Sequence, residues 1–230
     1  EHRRGRDVPV HASSQRPRGM SSGTPIVFVV DDDASVLRGL KRLLRSAGFT
    51  AETFASAPEF LELYDRNAAG CVILDLAMPA FDGLQMQKAL ADRGSVLPII
   101  FLTGHGDIAT SVQAMKGGAV DFLTKPVNDE ELLSAVRMAI QRCEVLYRAR
   151  EEIAIIRRRV ATLTPREREV LTHLLSGKLN KQIAADLGTV EHTIKVHRAR
   201  VMQKMQVDTL AALVRLAERA GIEATPPTES

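Results

Sequence analysis

A chain of 230 residues, 45% hydrophobic and 26% charged, has the make-up of an ordinary globular protein and room for two small cores. No apolar run is long enough to span a bilayer, and the Arg-rich start lacks the apolar stretch of a secretory signal. The net charge of +3 divides unevenly: residues 24–140 hold ten Lys and Arg against fifteen Asp and Glu, residues 164–230 ten against eight. An acidic half and a basic half imply different jobs, the basic one suited to nucleic acid. Cys71 and Cys143 fall in apolar patterns without metal or redox spacing, so they are expected to be small structural residues in a reducing, cytoplasmic setting.

Residues 1–23 are polar and rich in Arg, Ser and Pro, which predicts a disordered tail, with Met20 a candidate native start. From Ile26 strands and helices alternate. The apolar run Ile26–Val30 ends in Asp31, Asp32 and Asp33, and Val36, Leu40, Leu43 and Leu44 mark a helix face closed by Gly48. Thr50–Phe54 is expected as a strand, Ala57–Tyr64 as a helix and Cys71–Leu74 as a strand running into Asp75. Leu84–Ala91 is expected as a helix, Ile99–Leu102 as a strand, Ile108–Met115 as a helix and Ala119–Leu123 as a fifth strand, with a helix from about Asn128. Five such units with non-alternating apolar strands predict an α/β fold: a doubly wound parallel sheet, flavodoxin-like, over residues 24–140. Its ligand site belongs beyond the C-terminal strand ends.

Residues 141–163 predict a helical linker whose Leu146, Ala149, Ile153, Ile156, Val160 and Leu163 form an apolar stripe. The stripe suits either packing on the protein's own domains or a coiled-coil seam in a homodimer. Thr164-Pro165-Arg166-Glu167 reads as a capping box opening a helix over 165–176. Asn180 is expected to cap a short helix over 181–187, and helices are expected over Glu191–Met205 and Thr209–Ala220. Residues 164–222 therefore predict a small all-α four-helix domain, followed by a loose tail over 223–230.

The chemistry collects at the strand ends. Asp31, Asp32 and Asp33 follow the first strand, Asp75 ends the third, Thr103 ends the fourth and Lys125 follows the fifth. Clustered carboxylates repel unless they share a partner, and an oxygen-only set favours a hard divalent cation such as Mg²⁺. A carboxylate beside that cation can attack a phosphoryl group, with Lys125 neutralising charge on the moving oxygens. Asp33 precedes a helix and suits an N-cap instead. Ala77 stands where an aspartate-nucleophile phosphatase needs a second carboxylate, which argues against that enzyme class. The Thr103-Gly-His-Gly stretch lacks the features of a nucleotide-binding loop.

These residues carry a resemblance. Val-Val-Asp31-Asp32-Asp33, Leu-Asp75-Leu-Ala-Met-Pro79 with Asp82-Gly83, Leu-Thr103-Gly-His-Gly-Asp107 and Phe122-Leu-Thr-Lys125-Pro126 together resemble the response-regulator receiver domain. The resemblance implies that Asp75 is phosphorylated by a sensor histidine kinase, and that Asp31, Asp32, Asp75 and the Ala77 backbone carbonyl hold Mg²⁺. It further implies that Thr103 and Lys125 contact the phosphoryl group, that Phe122 is the switch aromatic and that the Lys125-Pro126 bond is cis.

Between His192 and Lys204 stand Lys195, Arg198, Arg200 and Lys204 with no carboxylate, and Ile194, Val201 and Met205 are spaced to face inward. A short helix, a turn and a basic helix form the arrangement that presents a helix to the major groove. Leu163–Leu216 resembles the LuxR-type helix-turn-helix domain of the NarL/FixJ response regulators, through Leu-Thr164-Pro-Arg-Glu167, Gly177-Lys-Leu-Asn180-Lys181-Gln-Ile-Ala184 and Thr193-Ile-Lys195-Val196-His197-Arg198. By that resemblance Lys195 and Val196 meet bases or the groove, His197, Asn180 and Lys181 meet the backbone, and Arg198 and Arg200 add DNA-binding charge. Two departures stand out. Val190 replaces a frequent Ser cap, leaving Thr189 to serve, and Ala199 replaces a basic residue that reads bases in some relatives.

The expected whole is a phosphorylation-dependent, DNA-binding transcriptional regulator of a two-component system, not a metabolic enzyme. Its expected partners are a sensor kinase, double-stranded promoter DNA, RNA polymerase and a second copy on activation. The alternative is a constitutive DNA-binding regulator whose receiver serves only protein interaction.

Overall fold

A computed structural model of the chain describes residues 24–65, 68–79, 81–104 and 108–223. The expected tail over 1–23, all but Glu223 of the expected tail over 223–230, and the His105–Asp107 part of the Thr103 motif lie outside the described residues. Five apolar runs form one parallel sheet: β1 (Ile26–Val30), β2 (Thr50–Phe54), β3 (Gly70–Asp75), β4 (Ile99–Thr103) and β5 (Asp121–Thr124), in the order β2-β1-β3-β4-β5. Alternate side chains divide the sheet's two faces, as the twofold repeat of a strand requires. Phe28, Val30, Val72, Leu74 and Phe101 pack on one face against α2 (Ala57–Leu63), α3 (Gly83–Asp92) and α4 (Ile108–Lys116). Val27, Val29, Cys71, Ile73, Ile100 and Leu102 pack on the other against α1 (Ala34–Ser46) and α5 (Asp129–Ala161). The first face carries an aromatic cluster in which Phe60 meets Phe28 and Phe54 edge-on and stacks on Tyr64 at 4.6 Å.

The fifth strand begins two residues later than the sequence predicts. Gly118 takes a left-handed turn (φ 94°), and the Ala119 N–H bonds back to the Ala114 carbonyl, so Ala119 closes α4 instead of joining the ladder. The other boundaries move by a residue or two at most.

The last helix of the α/β half continues without a break through 33 residues, a rod of about 50 Å. Asn128 caps its start by accepting from the N–H groups of Glu130 and Glu131. Its two ends belong to different cores. Cys143 is buried and its Sγ accepts from the Gly70 N–H, and the Tyr147 hydroxyl donates to the Ala68 carbonyl at 2.7 Å. Further along, Ile156 and Val160, with Leu163 beyond the helix end, pack into the C-terminal core with Val170, Leu174, Ile183, Ile194, Val201 and Met205. That core is built by α6 (Pro165–Leu175), α7 (Asn180–Asp186), α8 (Glu191–Met205) and α9 (Leu210–Arg219). Of the expected apolar stripe, the second half is therefore covered within the chain, whereas Leu146 and Ala149 stay exposed.

Two expected caps are corrected. Asn180 is the first residue of α7, with Leu179 at the N-cap, where the Gln182 side chain accepts from the Leu179 N–H at 2.8 Å. Leu179 has no side-chain acceptor to offer the first turn, so only this return bond of a capping box is made. Likewise the N-cap of α8 is Val190, not Thr189, and no side chain caps it; the Thr193 and Ile194 N–H groups bond the Val190 carbonyl.

The start of α3 sits hard against the end of β3. A Cβ built on Gly83 comes within 2.7 Å of the Asp75 carbonyl oxygen and 2.9 Å of the Phe101 ring. Gly83→Ala is therefore expected to destabilise the N-terminal domain by about 1–3 kcal/mol through overpacking, measured by urea denaturation.

Candidate functional site

The strand order reverses between β1 and β3, and the crevice beyond their C-terminal ends gathers the predicted acidic set. Asp31 (2% exposed) follows β1, Asp75 (6%) ends β3 and Thr103 (0%) ends β4. Lys125 follows β5, placed there by a bond from its own N–H to the Thr103 carbonyl at 2.7 Å. Its Nζ donates to Asp31 Oδ2 at 2.6 Å and lies 3.3 Å from Asp75 Oδ1. One ammonium thus bridges two buried carboxylates. Asp31 Oδ1 accepts from the Asp33 N–H, while Asp33 turns away to cap α1 by accepting from the Ser35 N–H and hydroxyl. The N-cap reading of Asp33 holds.

Burial pushes the Asp75 carboxyl above the usual aspartate range; the Lys125 charge opposes the rise and the Asp31 charge adds to it. The Ala77 N–H also donates to the Asp75 carboxylate, so the residue expected to offer its carbonyl engages the site through its N–H as well. For Lys125, burial favours the neutral amine, but the bonds and charges of Asp31 and Asp75 outweigh it and raise the pKa. Asp32 is exposed at the rim, and carboxylate oxygens of Asp31, Asp32 and Asp75 lie within 4.8 Å of one another. Three acidic groups answered by a single lysine leave negative charge over, and an all-oxygen donor set fits a hard divalent cation such as Mg²⁺. Phe122 is half-buried beside Phe101, ring centroids 6.3 Å apart.

The second site is the surface of α8. Ile194, Val201 and Met205 are fully buried, as their spacing predicts. Lys195, Val196 and Arg200 are exposed, Lys195 with its Nζ 3.2 Å from Glu191 one turn earlier. Lys181 is exposed on α7. His197 is half-buried, with Nδ1 enclosed and unpaired. Arg198 is half-buried and donates to Asn180 Oδ1 at 3.3 Å, tying α8 to the start of α7. The structure thus brings Lys181, Lys195, Val196 and Arg200 to the surface and uses Asn180 and Arg198 partly to join the two helices.

Lys204 is diverted altogether. Its Nζ donates to Glu167 Oε2 at 2.6 Å and to the Thr162 carbonyl at 3.1 Å. Glu167, 2% exposed, is also the reciprocal partner of Thr164 in the capping box. The sequence shows Lys204 only as one of four cations on α8 and gives no sign of this bond, because nothing local links positions 37 residues apart.

Comparison with known proteins follows the same division. Residues 27–137 match the response regulator receiver domain, and residues 161–217 match the bacterial regulatory proteins of the luxR family. The chain is 44% identical to the response regulator protein TodT of Pseudomonas putida, over 88% of this chain and 89% of that one. It is 43% identical to the transcriptional regulatory protein FixJ of Bradyrhizobium diazoefficiens, over 85% and 96%. The solved structure of the response regulator StyR matches with a TM-score of 0.74 at 46% identity, covering 86% of this chain and all of that one.

The Glu167–Lys204 bond and the Thr164 N–H hold the Glu167 carboxyl below its ordinary value of 4.5. A depressed acid stabilises the fold above its unfolded-state pKa and loses that contribution as pH falls through its folded one. Glu167→Ala is accordingly expected to cost the C-terminal domain about 2 kcal/mol at neutral pH. In thermal melts the deficit against wild type shrinks once pH drops below 4.5 and the native carboxyl protonates.

Proposed function

As this chain belongs to the NarL/FixJ family of response regulators, two-component transcriptional regulators that join a receiver to a LuxR-type DNA-binding domain, we propose that Asp75 accepts a phosphoryl group from a sensor histidine kinase and thereby controls promoter binding. The observation that carries the reading is Lys125, held between Asp31 and Asp75 at the strand ends. A carboxylate oxygen of Asp75 attacks the phosphorus, the donor imidazole leaves with its electron pair, and the new acyl phosphate keeps its charge beside Lys125. The raised Asp75 pKa reflects a carboxylate poorly solvated by water and so ready to bond an electrophile. Mg²⁺ at Asp31, Asp32, Asp75 and the Ala77 carbonyl would neutralise the oxygens of the phosphoryl group in transfer.

Once phosphorylated, Asp75 draws Lys125 from Asp31 and offers an acceptor to the Thr103 hydroxyl, one strand away. Movement there opens space beside Phe101, into which Phe122 turns as the switch aromatic. The α4–β5–α5 surface changes with it. A bias of a few kcal/mol is enough to change occupancy of a two-state switch. The chain's own chemistry is confined to gaining and losing this phosphoryl group, and it acts in the cytoplasm. Activation pairs two copies on promoter DNA, half-sites roughly one helical turn apart, with RNA polymerase as the further partner. On DNA, α8 enters the major groove with Lys195, Val196 and Arg200 forward, while Asn180, Lys181, His197 and Arg198 approach the backbone.

Asp75→Asn is expected to abolish labelling by radioactive acetyl phosphate in Mg²⁺, and stoichiometric labelling of that variant removes Asp75 as acceptor. Lys195→Ala is expected to weaken operator binding by about 1–3 kcal/mol in fluorescence anisotropy. Beryllofluoride in Mg²⁺ should raise wild-type DNA affinity; an unchanged affinity points to the constitutive regulator instead.

A further inference from the structure

The three aspartates after β1 do not share one task, and the bonds among them run in sequence. Asp31 uses both carboxylate oxygens: Oδ2 accepts from Lys125 Nζ at 2.6 Å, and Oδ1 accepts from the Asp33 N–H at 2.9 Å. Asp33 in turn gives Oδ1 to the Ser35 N–H at 2.7 Å and to the Ser35 hydroxyl at 2.5 Å. Its backbone is extended (φ −86°, ψ 108°), the conformation of an N-cap, and the Leu37 N–H closes the first turn on its carbonyl. The helix opened in this way is fixed to the sheet by Leu40 and Leu44, both buried. A continuous path therefore runs from a packed helix, through the Asp33 cap, to one oxygen of a buried carboxylate.

The two holds on Asp31 differ in permanence. A phosphoryl group on Asp75 competes for the Lys125 ammonium, which already lies 3.3 Å from Asp75 Oδ1. The Asp33 N–H is part of the backbone and carries no charge for that group to draw away. Metal-binding carboxylates are oriented by the bonds that their own oxygens accept, and loss of such an outer bond weakens the hold on the ion. We propose that Asp33 is a positioning residue for Mg²⁺: its cap aims the N–H that orients Asp31, and preserves that orientation when Lys125 turns to the phosphoryl group. The proposal rests on the reading of the strand-end crevice as a Mg²⁺ site and gives Asp33 a part in it without making it a ligand. Without the cap, the turn from Asp31 to Ser35 populates other conformations, and the ion binds only the fraction that is competent.

Asp33→Ala and Asp33→Asn separate the cap from the charge, because both remove the charge and only Asn keeps a capping oxygen. Asp33 is exposed, so neither substitution opens a cavity. The probe is Mg²⁺ alone, titrated into the full-length protein and followed by the backbone amide NMR shifts beside Asp31 and Asp75. Asp33→Ala is expected to bind Mg²⁺ about fivefold more weakly than Asp33→Asn, the equilibrium equivalent of one lost cap. Equal affinities in the two variants overturn the positioning role, even where Asp33→Ala melts at a lower temperature, since the cap is then purely structural. A wild-type protein with no saturable shift overturns the Mg²⁺ site and the positioning role together.

Discussion

A lysine ammonium between two buried carboxylates is the constraint around which the N-terminal half is arranged. Asp31 and Asp75 are nearly excluded from water, and two such charges side by side are tolerable only because Lys125 reaches both. Each of the three groups comes from the end of a different strand, so the balance exists only when β1, β3 and β5 are in register. The balance is also incomplete. With Asp32 at the rim the charge remains negative, and a site in that condition attracts a cation and responds strongly to any change in charge at Asp75. Electrostatic tension of this kind ties folding and signalling to the same atoms.

The C-terminal half solves a different problem with similar means. Glu167 is buried at the first turn of α6, where it completes a cap and receives Lys204 from the end of α8. That bond fixes α8 against α6 from the polar side, as Ile194, Val201 and Met205 fix it from the apolar side. The helix is left with a presented face whose composition is set by what remains after these structural demands are met.

The strand ends were legible because a parallel sheet places its chemistry by rule: Asp31, Asp75, Thr103 and Lys125 could be assembled from spacing alone. The capping box at Thr164 and Glu167 was legible because its partners are three residues apart. What could not be read was direction. A run of four cations on α8 looks uniform in sequence, yet burial turns Lys204 inward and Arg198 sideways. The apolar stripe from Leu146 to Leu163 has the spacing of a seam, and only the tertiary fold shows Ile156 and Leu163 already covered. The caps at Asn180 and Thr189 failed for a related reason, since the two helices start from Leu179 and Val190, residues that propensity does not favour at an N-cap.

The uninterrupted α5 has a mechanical side. Cys143 is buried against the start of β3 and Ile156 in the C-terminal core, with about 20 Å of helix between them. A hinge loop would let the DNA-binding half sample many orientations, whereas a helix fixes its azimuth about the rod. Each residue of that span then counts as an angle as well as a length: one inserted residue would turn α8 by about 100° relative to the receiver, while seven would nearly restore it. The rod behaves as a keyed shaft, whose tolerance to lengthening is periodic.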